Sequence, residues 1–498
     1  MTTAMFKTGM NRSLLNKDFF QAILDRAFGP NTCQTTAWSE QELDSSASIL
    51  SNISSGGGDG DDLDDDFAQD DLPSLNENSA LRATEEPCPM NDMTGHFLYK
   101  IDYNNLSPVV NPLQYHHPSN TRQSRSISNS SISTSQPGPQ HLKDGELWVV
   151  VKSKPIDTAL IELTNIMAQL QGGRIAEEYD QVKDLTGFRN SHIREIEVAE
   201  LAWQVGGAME KISAKVYNVL RNDSQQLYAL CLEYLDPVTA NITHLNSTDN
   251  ALTTWSPNDI HLVLKDLASF HAQFLGQENK LLRMSFLENP SRSMMKVLRP
   301  AYEAMIETNQ RNDPTIFSEF LSQSMLDYLA NSDKYWAVLE NSPRTLIHCD
   351  FNTRNICLRV DQSAGTQSLC AYDWELACCH VPQRDVVEFL SFVLPPGSND
   401  WSHYIEYHRL ALETSYERLR FSDSSYPPIT MPSSREYLNV AKIALMDFAS
   451  QRISMYGISN SFKQVSWLPR IASCVEEQIK RMGPLGRNQD QVLQYSKL

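Results

Sequence analysis

Apolar and polar positions alternate in three different ways along this chain. Over residues 14–28 (LLNKDFFQAILDRAF) apolar side chains recur at Phe19, Phe20, Ile23, Leu24 and Phe28, the stripe of an amphipathic helix closed by Gly29-Pro30. Residues 51–146 then carry a glycine- and aspartate-rich run and a serine-rich stretch, interrupted by the apolar segment 96–103 (HFLYKIDY). That composition buries too little apolar surface to offset the entropy of ordering, so it predicts disorder with one embedded strand. From position 147 onward, strand-length apolar runs at 147–152 (LWVVVK) and 230–235 (LCLEYL) give way to helical periodicities over 286–339 and 401–482. Pro290, Pro300, Pro314, Pro427-Pro428 and Pro469 are expected to break those helices.

Two segments are more sharply specified. Ser256-Pro257-Asn258-Asp259 combines a capping serine, a first-turn proline and an acidic residue at the positive end of the helix dipole. It opens a helix with Ile260, Leu264, Leu267, His271 and Phe274 on one stripe, ending at Gly276. A histidine on such a face reads as a hydrogen-bonded core residue rather than a catalytic one. Further on, the apolar runs 356–360 and 369–372 flank the turn-rich DQSAGTQS and predict a β-hairpin.

The hairpin matters because of what flanks it. Asn355 precedes its first strand and Asp373 follows its second; paired strands lie about 5 Å apart, so folding sets an amide oxygen beside a carboxylate at a spacing suited to Mg²⁺. Asp350, five residues before Asn355, would face the same ion from the substrate side, free to orient an attacking hydroxyl and accept its proton.

The run His348-Cys349-Asp350-Phe351-Asn352-Thr353-Arg354-Asn355, with Asp373-Trp374-Glu375 eighteen residues beyond Asn355, resembles the catalytic segment of the aminoglycoside phosphotransferase and choline kinase-like family. The resemblance implies a two-lobed, protein kinase-like α+β fold, with a small, mostly β lobe over 147–235 and a helical lobe over 236–485. Residues 1–50 would hold an N-terminal helix and the start of the small lobe, and 486–498 a flexible tail. It implies ATP and Mg²⁺ as cofactors, Asp350 as catalytic base, and Asn355 and Asp373 as metal ligands. Lys152 would reach the nucleotide phosphates, with Lys154 on the same face of the strand as a competitor. Glu195 is the expected ion-pair partner, with Glu197 second, because Arg194-Glu195-Ile196-Glu197 is similar to the family's R-E-x-E helix. Glu233, Tyr234 and Leu235 would offer backbone groups to adenine, and Asp385 would brace the catalytic loop. No glycine-rich loop immediately precedes Lys152; either 45–55 (SSASILSNISS) or the later serine-rich stretch stands in its place. Arg354 replaces a glycine usual in the antibiotic kinases, and either assists the phosphates or caps a carboxylate.

Composition narrows the partners. The formal charge of −19 disfavours nucleic acid and anionic membranes, although eight of these charges are the aspartates between positions 59 and 71. That run lacks the glycine and ligand pattern of a calcium loop and reads as a solvated linker. The nine cysteines show no paired C-x-x-C spacing, which argues against zinc and against a disulfide framework. Neither a P-loop nor a G-x-S-x-G elbow is present. With no signal-peptide core and no apolar stretch of about 18 residues, the expectation is a cytoplasmic protein. Together these features predict an ATP-dependent kinase acting on a hydroxyl of a small metabolite. Two other readings stand beside it: a catalytically silent kinase-like scaffold, and a protein kinase.

Overall fold

The early apolar runs pair into one antiparallel sheet. In the computed structural model, residues 15–28, 33–41, 95–105, 145–236 and 241–483 are described. The sheet contains β1 (Cys33–Gln41), β2 (Gly95–Asn105), β3 (Glu146–Ser153), β4 (Val216–Asn222) and β5 (Leu227–Glu233), in the order β1-β2-β3-β5-β4. β2 is the strand expected at 96–103; the remainder of the segment expected to be disordered, and both candidate phosphate loops, lie outside the described residues.

Because side chains alternate along a strand, β3 serves two cores at once. Leu147, Val149 and Val151 face the N-terminal helix Lys17–Phe28, whose Phe20, Ile23 and Leu24 are fully buried against them. Val150 faces the other way, onto Ile196 and Ala199 of the helix Ser191–Val205. Lys152 and Lys154 continue this second face and so are aimed at that helix.

Between β3 and the helix Ser191–Val205 stand two helices that periodicity alone did not single out, Asp157–Gln171 and Gly173–Val182, joined where Gly172 and Gly173 adopt φ of +67° and +63°. Ala168, Ile175, Tyr179 and Val182 enter the core of the helical lobe rather than that of the sheet. Arg174 adds ion pairs to Glu303 (3.1 Å) and Glu307 (3.0 Å) on the helix Arg292–Asn312. The lobes therefore share apolar packing.

In the helical lobe, Ser256 and Asp259 form the expected capping box at the start of Pro257–Phe274, and the stripe from Ile260 to Phe274 is buried. Pro300 does not break its helix. It sits inside Arg292–Asn312, where burial of Met295, Leu298, Ala301, Tyr302, Met305 and Ile306 outweighs the roughly 3 kcal/mol that an internal proline costs. Pro469 likewise lies in the first turn of Leu468–Met482 and starts it. Tyr335, Trp336 and Trp401 are core residues.

Two small sheets connect the helices to the catalytic segment. β6 (Ile242–Thr243), β8 (Ile356–Asp361) and β9 (Thr366–Ala371) form one, containing the expected hairpin with Ile356 opposite Ala371; β7 (Thr345–Ile347) pairs with β10 (Cys378–His380) in the other. A five-stranded sheet, one helix braced against its central strand, and a larger helical lobe carrying this hairpin make the two-lobed, protein kinase-like α+β fold. Among the described residues no helix is long and apolar enough to cross a membrane.

The helix Ser434–Phe448 runs into a π-helical turn, Ala449–Ile453, and then into Ser454–Asn460. Gly457 allows the last of these to approach Arg292–Asn312: an added Cβ would lie 2.5 Å from Asn309 Nδ2 and 2.5 Å from Phe317 Cζ. A Gly457→Ala variant should lose about 1–3 kcal/mol in urea denaturation. An unchanged midpoint would mean that this contact is soft.

Candidate active site

The centre of the site is a buried group of two lysines and three carboxylates. Lys152 Nζ lies 2.8 Å from Glu195 Oε2 and 2.8 Å from Asp373 Oδ1; Lys154 Nζ lies 2.5 Å from Glu195 Oε2 and 2.7 Å from Glu375 Oε2. Lys152, Lys154, Glu195 and Asp373 are all buried. The two lysines that the sequence left as rivals thus share one carboxylate. Glu197 points elsewhere, to Arg221 at the surface, as the helical repeat requires of a residue two positions from Glu195.

Charge compensation sets the protonation states. Burial opposes ionisation of Glu195, but Lys152 and Lys154 hold its carboxyl down at about 2. Burial, with Glu375 and Glu195 adding repulsion, outweighs Lys152 at Asp373 and pushes its carboxyl up to about 7. Asp373 also occupies a left-handed conformation, φ +65° and ψ +59°, costing roughly 1–2 kcal/mol for a residue with a Cβ. Its Oδ2 is buried without a hydrogen-bond partner. Ligand oxygens of Glu195, Asp373 and Glu375 lie within 4.8 Å of one another, a donor set of hard oxygens that fits Mg²⁺.

Arg194, one residue before Glu195, holds this arrangement in place. Its buried guanidinium donates to the carbonyls of Gly187 (3.2 Å), Arg189 (2.5 Å), Phe286 (3.2 Å) and Glu375 (3.0 Å), tying the helix to the segment that follows Asp373. His96, opposite Lys152 on β2, is kept neutral by burial and by Lys152, its pKa lowered to about 3. Arg194 entered the sequence reading only as the first residue of the R-E-x-E pattern, and His96 betrays itself only once the register of β2 and β3 is known.

The loop bearing Asp350 is braced from below. Asp385 Oδ2 accepts from the His348 N–H (2.8 Å) and Oδ1 from the Cys349 N–H (2.9 Å), which holds Cys349 at φ +64°. Asp385 also meets His271 Nε2 (3.2 Å); His271 Nδ1 meets His408 Nε2 (3.2 Å), and His408 Nδ1 meets the Tyr437 hydroxyl (2.8 Å). One assignment satisfies every member: Tyr437 donates to His408, His408 to His271, and His271 to Asp385. His271 is thus the core histidine expected.

Asp350 is saturated with donors. Its Oδ2 accepts from Asn355 Nδ2 (2.7 Å), while Oδ1 accepts from Asn352 Nδ2 (3.0 Å), Arg452 Nη2 (2.6 Å) and the Tyr456 hydroxyl (3.1 Å). Although burial disfavours its charge, Arg452 and Arg354 keep the carboxyl well below the ordinary range. The amide nitrogen of Asn355 is thus committed to Asp350, and the Tyr372 N–H to Asn355 carbonyl bond (3.0 Å) ties Asn355 to the residue before Asp373. Arg452 and Tyr456 come from the π-helical turn and the helix after it, about a hundred residues downstream, and no local motif marks them. Of the two roles left open for Arg354, a carboxylate contact is present, 3.6 Å from Asp350 Oδ1.

At the lobe junction, the Glu233 N–H bonds the Lys215 carbonyl (2.9 Å), and its carboxylate engages Arg359 and the Lys215 N–H. Leu235, two residues on, is buried. The sheet register also separates the two candidate phosphate loops. The connection 42–94 departs from the end where His96 pairs with Lys152 and Gly95 with Ser153; the connection 106–144 departs from the far end, where the Tyr103 N–H meets the Gly145 carbonyl.

Residues 247–421 match the Ecdysteroid kinase-like family. The resemblance read from the catalytic motif is thereby borne out, since the matched segment contains Asp350, Asn355, Asp373 and Asp385. No curated protein matches the chain by sequence. Among solved structures, the chain is similar to an ethanolamine kinase from Plasmodium vivax at 16% identity, covering 57% of this chain and 72% of that one, TM-score 0.35. It is similar to choline kinase LicA from Streptococcus pneumoniae at 14% identity, covering 66% and 85%, TM-score 0.34. A third is an aminoglycoside phosphotransferase from Streptomyces rimosus, in complex with ADP and streptomycin, at 12% identity, covering 61% and 86%, TM-score 0.31.

Two outcomes follow from this geometry. Asp385→Ala leaves two buried N–H groups without acceptors and should cost about 2–5 kcal/mol in denaturation experiments; a loss under about 0.5 kcal/mol would show that the loop braces itself. Because the Asp373 carboxyl is raised above its unfolded value of 3.8, its contribution to metal-free stability is lost as pH rises through about 7. Cation binding needs the carboxylate and has the opposite trend. Mg²⁺ should therefore raise Tm more at pH 8 than at pH 6, with affinity falling about tenfold per unit below 7, and Asp373→Asn should remove the difference.

Proposed function

We propose that this chain is an ATP-dependent phosphotransferase that, with Mg²⁺, phosphorylates a hydroxyl of a small metabolite. The observation that carries the reading is the buried Lys152–Glu195–Asp373 group, with one oxygen of Asp373 left without a partner, beside an ionised Asp350 bonded to Asn355. Lys152, held by Glu195, would bind the nucleotide phosphates, and Lys154 neutralises the remaining carboxylates. Asn355 and Asp373 would hold Mg²⁺, which when bound supplies charge neutralisation between the phosphates. The Glu233 carbonyl and the backbone of Leu235 face adenine at the lobe junction.

Asp350 receives the acceptor hydroxyl. With its carboxyl held so acidic, it orients the nucleophile throughout and takes the proton late, after the bond from oxygen to phosphorus has begun to form. That timing suits phosphoryl transfer, whose loose transition state demands positioning and electrostatic stabilisation more than a strong base.

A second reading, nucleotide binding without turnover, is favoured by the three donors on Asp350 Oδ1. Incubation with γ-labelled ATP and a metabolite extract separates the two. A small molecule gaining phosphate supports the kinase; a labelled polypeptide points to a protein kinase, and ATP binding without any labelled product to the silent scaffold. Asp350→Ala should retain thermal stabilisation by Mg²⁺-ATP while losing turnover by about 10³-fold. Undiminished transfer by that variant sinks the assignment.

A further inference from the structure

The two helices that carry the histidine relay also bring a second pair of histidines together, at the surface. His261 lies in the second turn of Pro257–Phe274 and His403 in the first turn of the helix Trp401–Ser422, and their Nε2 atoms are 3.1 Å apart. His403 is exposed and His261 half-buried. The relay members His271 and His408 lie further along the same helices, fully buried.

Hydrogen bonding fixes which nitrogen of His261 is free. Its Nδ1 meets the Pro257 carbonyl (2.7 Å), and a carbonyl only accepts, so Nδ1 carries the proton of the neutral ring and Nε2 presents a lone pair. His403 Nε2 donates to that lone pair; facing water, His403 can take the other tautomer and free its own Nε2 as well. Tyr407 packs edge-on against His261, with ring centroids 4.5 Å apart, and Tyr404 packs against both histidines, at 5.1 and 5.4 Å.

The spacing suits two ligands of one ion. Imidazole nitrogens bound to Zn²⁺ at about 2.0–2.1 Å stand about 2.9–3.4 Å apart when the angle between them is about 90–109°. Rotation of the exposed His403 ring aims the two lone pairs at a common point. The bond from Nδ1–H to a backbone carbonyl is the outer contact that orients a ligating histidine. Among the described residues no third His, Cys, Asp or Glu groups with the pair, which leaves the remaining positions to water.

We infer that His261 and His403 together bind one divalent transition ion of the imidazole-preferring class, Zn²⁺ or Ni²⁺ in preference to Mg²⁺ or Ca²⁺. The ion clamps the two helices whose buried histidines support Asp385. This site is separate from the oxygen group of Glu195, Asp373 and Glu375, and it stands independently of the phosphotransferase reading. Two of the four ligands of a structural zinc site supply roughly half its binding free energy, giving a Kd on the order of 1–100 µM.

The test titrates the reduced, full-length protein with Zn²⁺ and with Ni²⁺ by calorimetry, in excess Mg²⁺. His261→Ala and His403→Ala should each weaken one site by about 10- to 100-fold, and the double variant should lose little more, since the pair acts as a unit. His403→Gln keeps a donor for His261 and should still lose the ion, which a merely structural hydrogen bond would not require. Either ion should raise the Tm of the wild-type protein more than that of the variants, whose folding is read from their Tm without metal. Equal affinities and equal Tm shifts in the wild type and every variant overturn the inference and leave a hydrogen-bonded pair only. A wild-type protein that binds neither ion at about 1 mM overturns it too.

Discussion

Burial of charge is the constraint on which this structure turns. A carboxylate removed from water costs several kcal/mol unless a cation replaces the lost solvation. Glu195 meets that demand with two ammonium groups, both delivered by one strand because side chains two apart share a face. Once Lys152 and Lys154 are committed to Glu195, their remaining valence fixes Asp373 and Glu375, and with them the end of the hairpin. Sheet, helix and catalytic segment are located relative to one another by a handful of short ionic contacts. Apolar packing supports these contacts without specifying them.

The loop bearing Asp350 is handled differently. Asp385 holds its backbone by accepting from successive N–H groups, while the side chains of Asp350, Asn352 and Asn355 bond one another. The relay from Tyr437 through two histidines to Asp385 extends this support across four helices with each donor matched to one acceptor. Such a network tolerates no half measures, since an unmatched buried donor costs more than a matched one returns.

Much of this was legible in the residues alone, for reasons of locality. Asp350, Asn355 and Asp373 lie on one hairpin, so spacing reports their proximity. The stripe of Pro257–Phe274 follows from helical period and capping chemistry, whereas the bracing role of Asp385 came only from the family resemblance. Arg452 and Tyr456 were illegible because the contact that makes them relevant spans about a hundred residues and depends on a π-helical turn with no sequence signature. Pro300 misled for a different reason: its local cost is real, but the tertiary burial of its neighbours exceeds it. The choice between Lys152 and Lys154 was never a choice, because one carboxylate has room for both.

The helix pair Asp157–Val182 alters the mechanics of the molecule. In a two-lobed enzyme joined by a single strand, domain rotation about that strand is opposed by little else. Here Tyr179 and Ile175 are embedded in the opposite lobe, and Arg174 grips Arg292–Asn312 from the outside. On the phosphotransferase reading, opening a cleft between the lobes would shear one packed helical layer across another, a motion of smaller amplitude than rotation about a hinge.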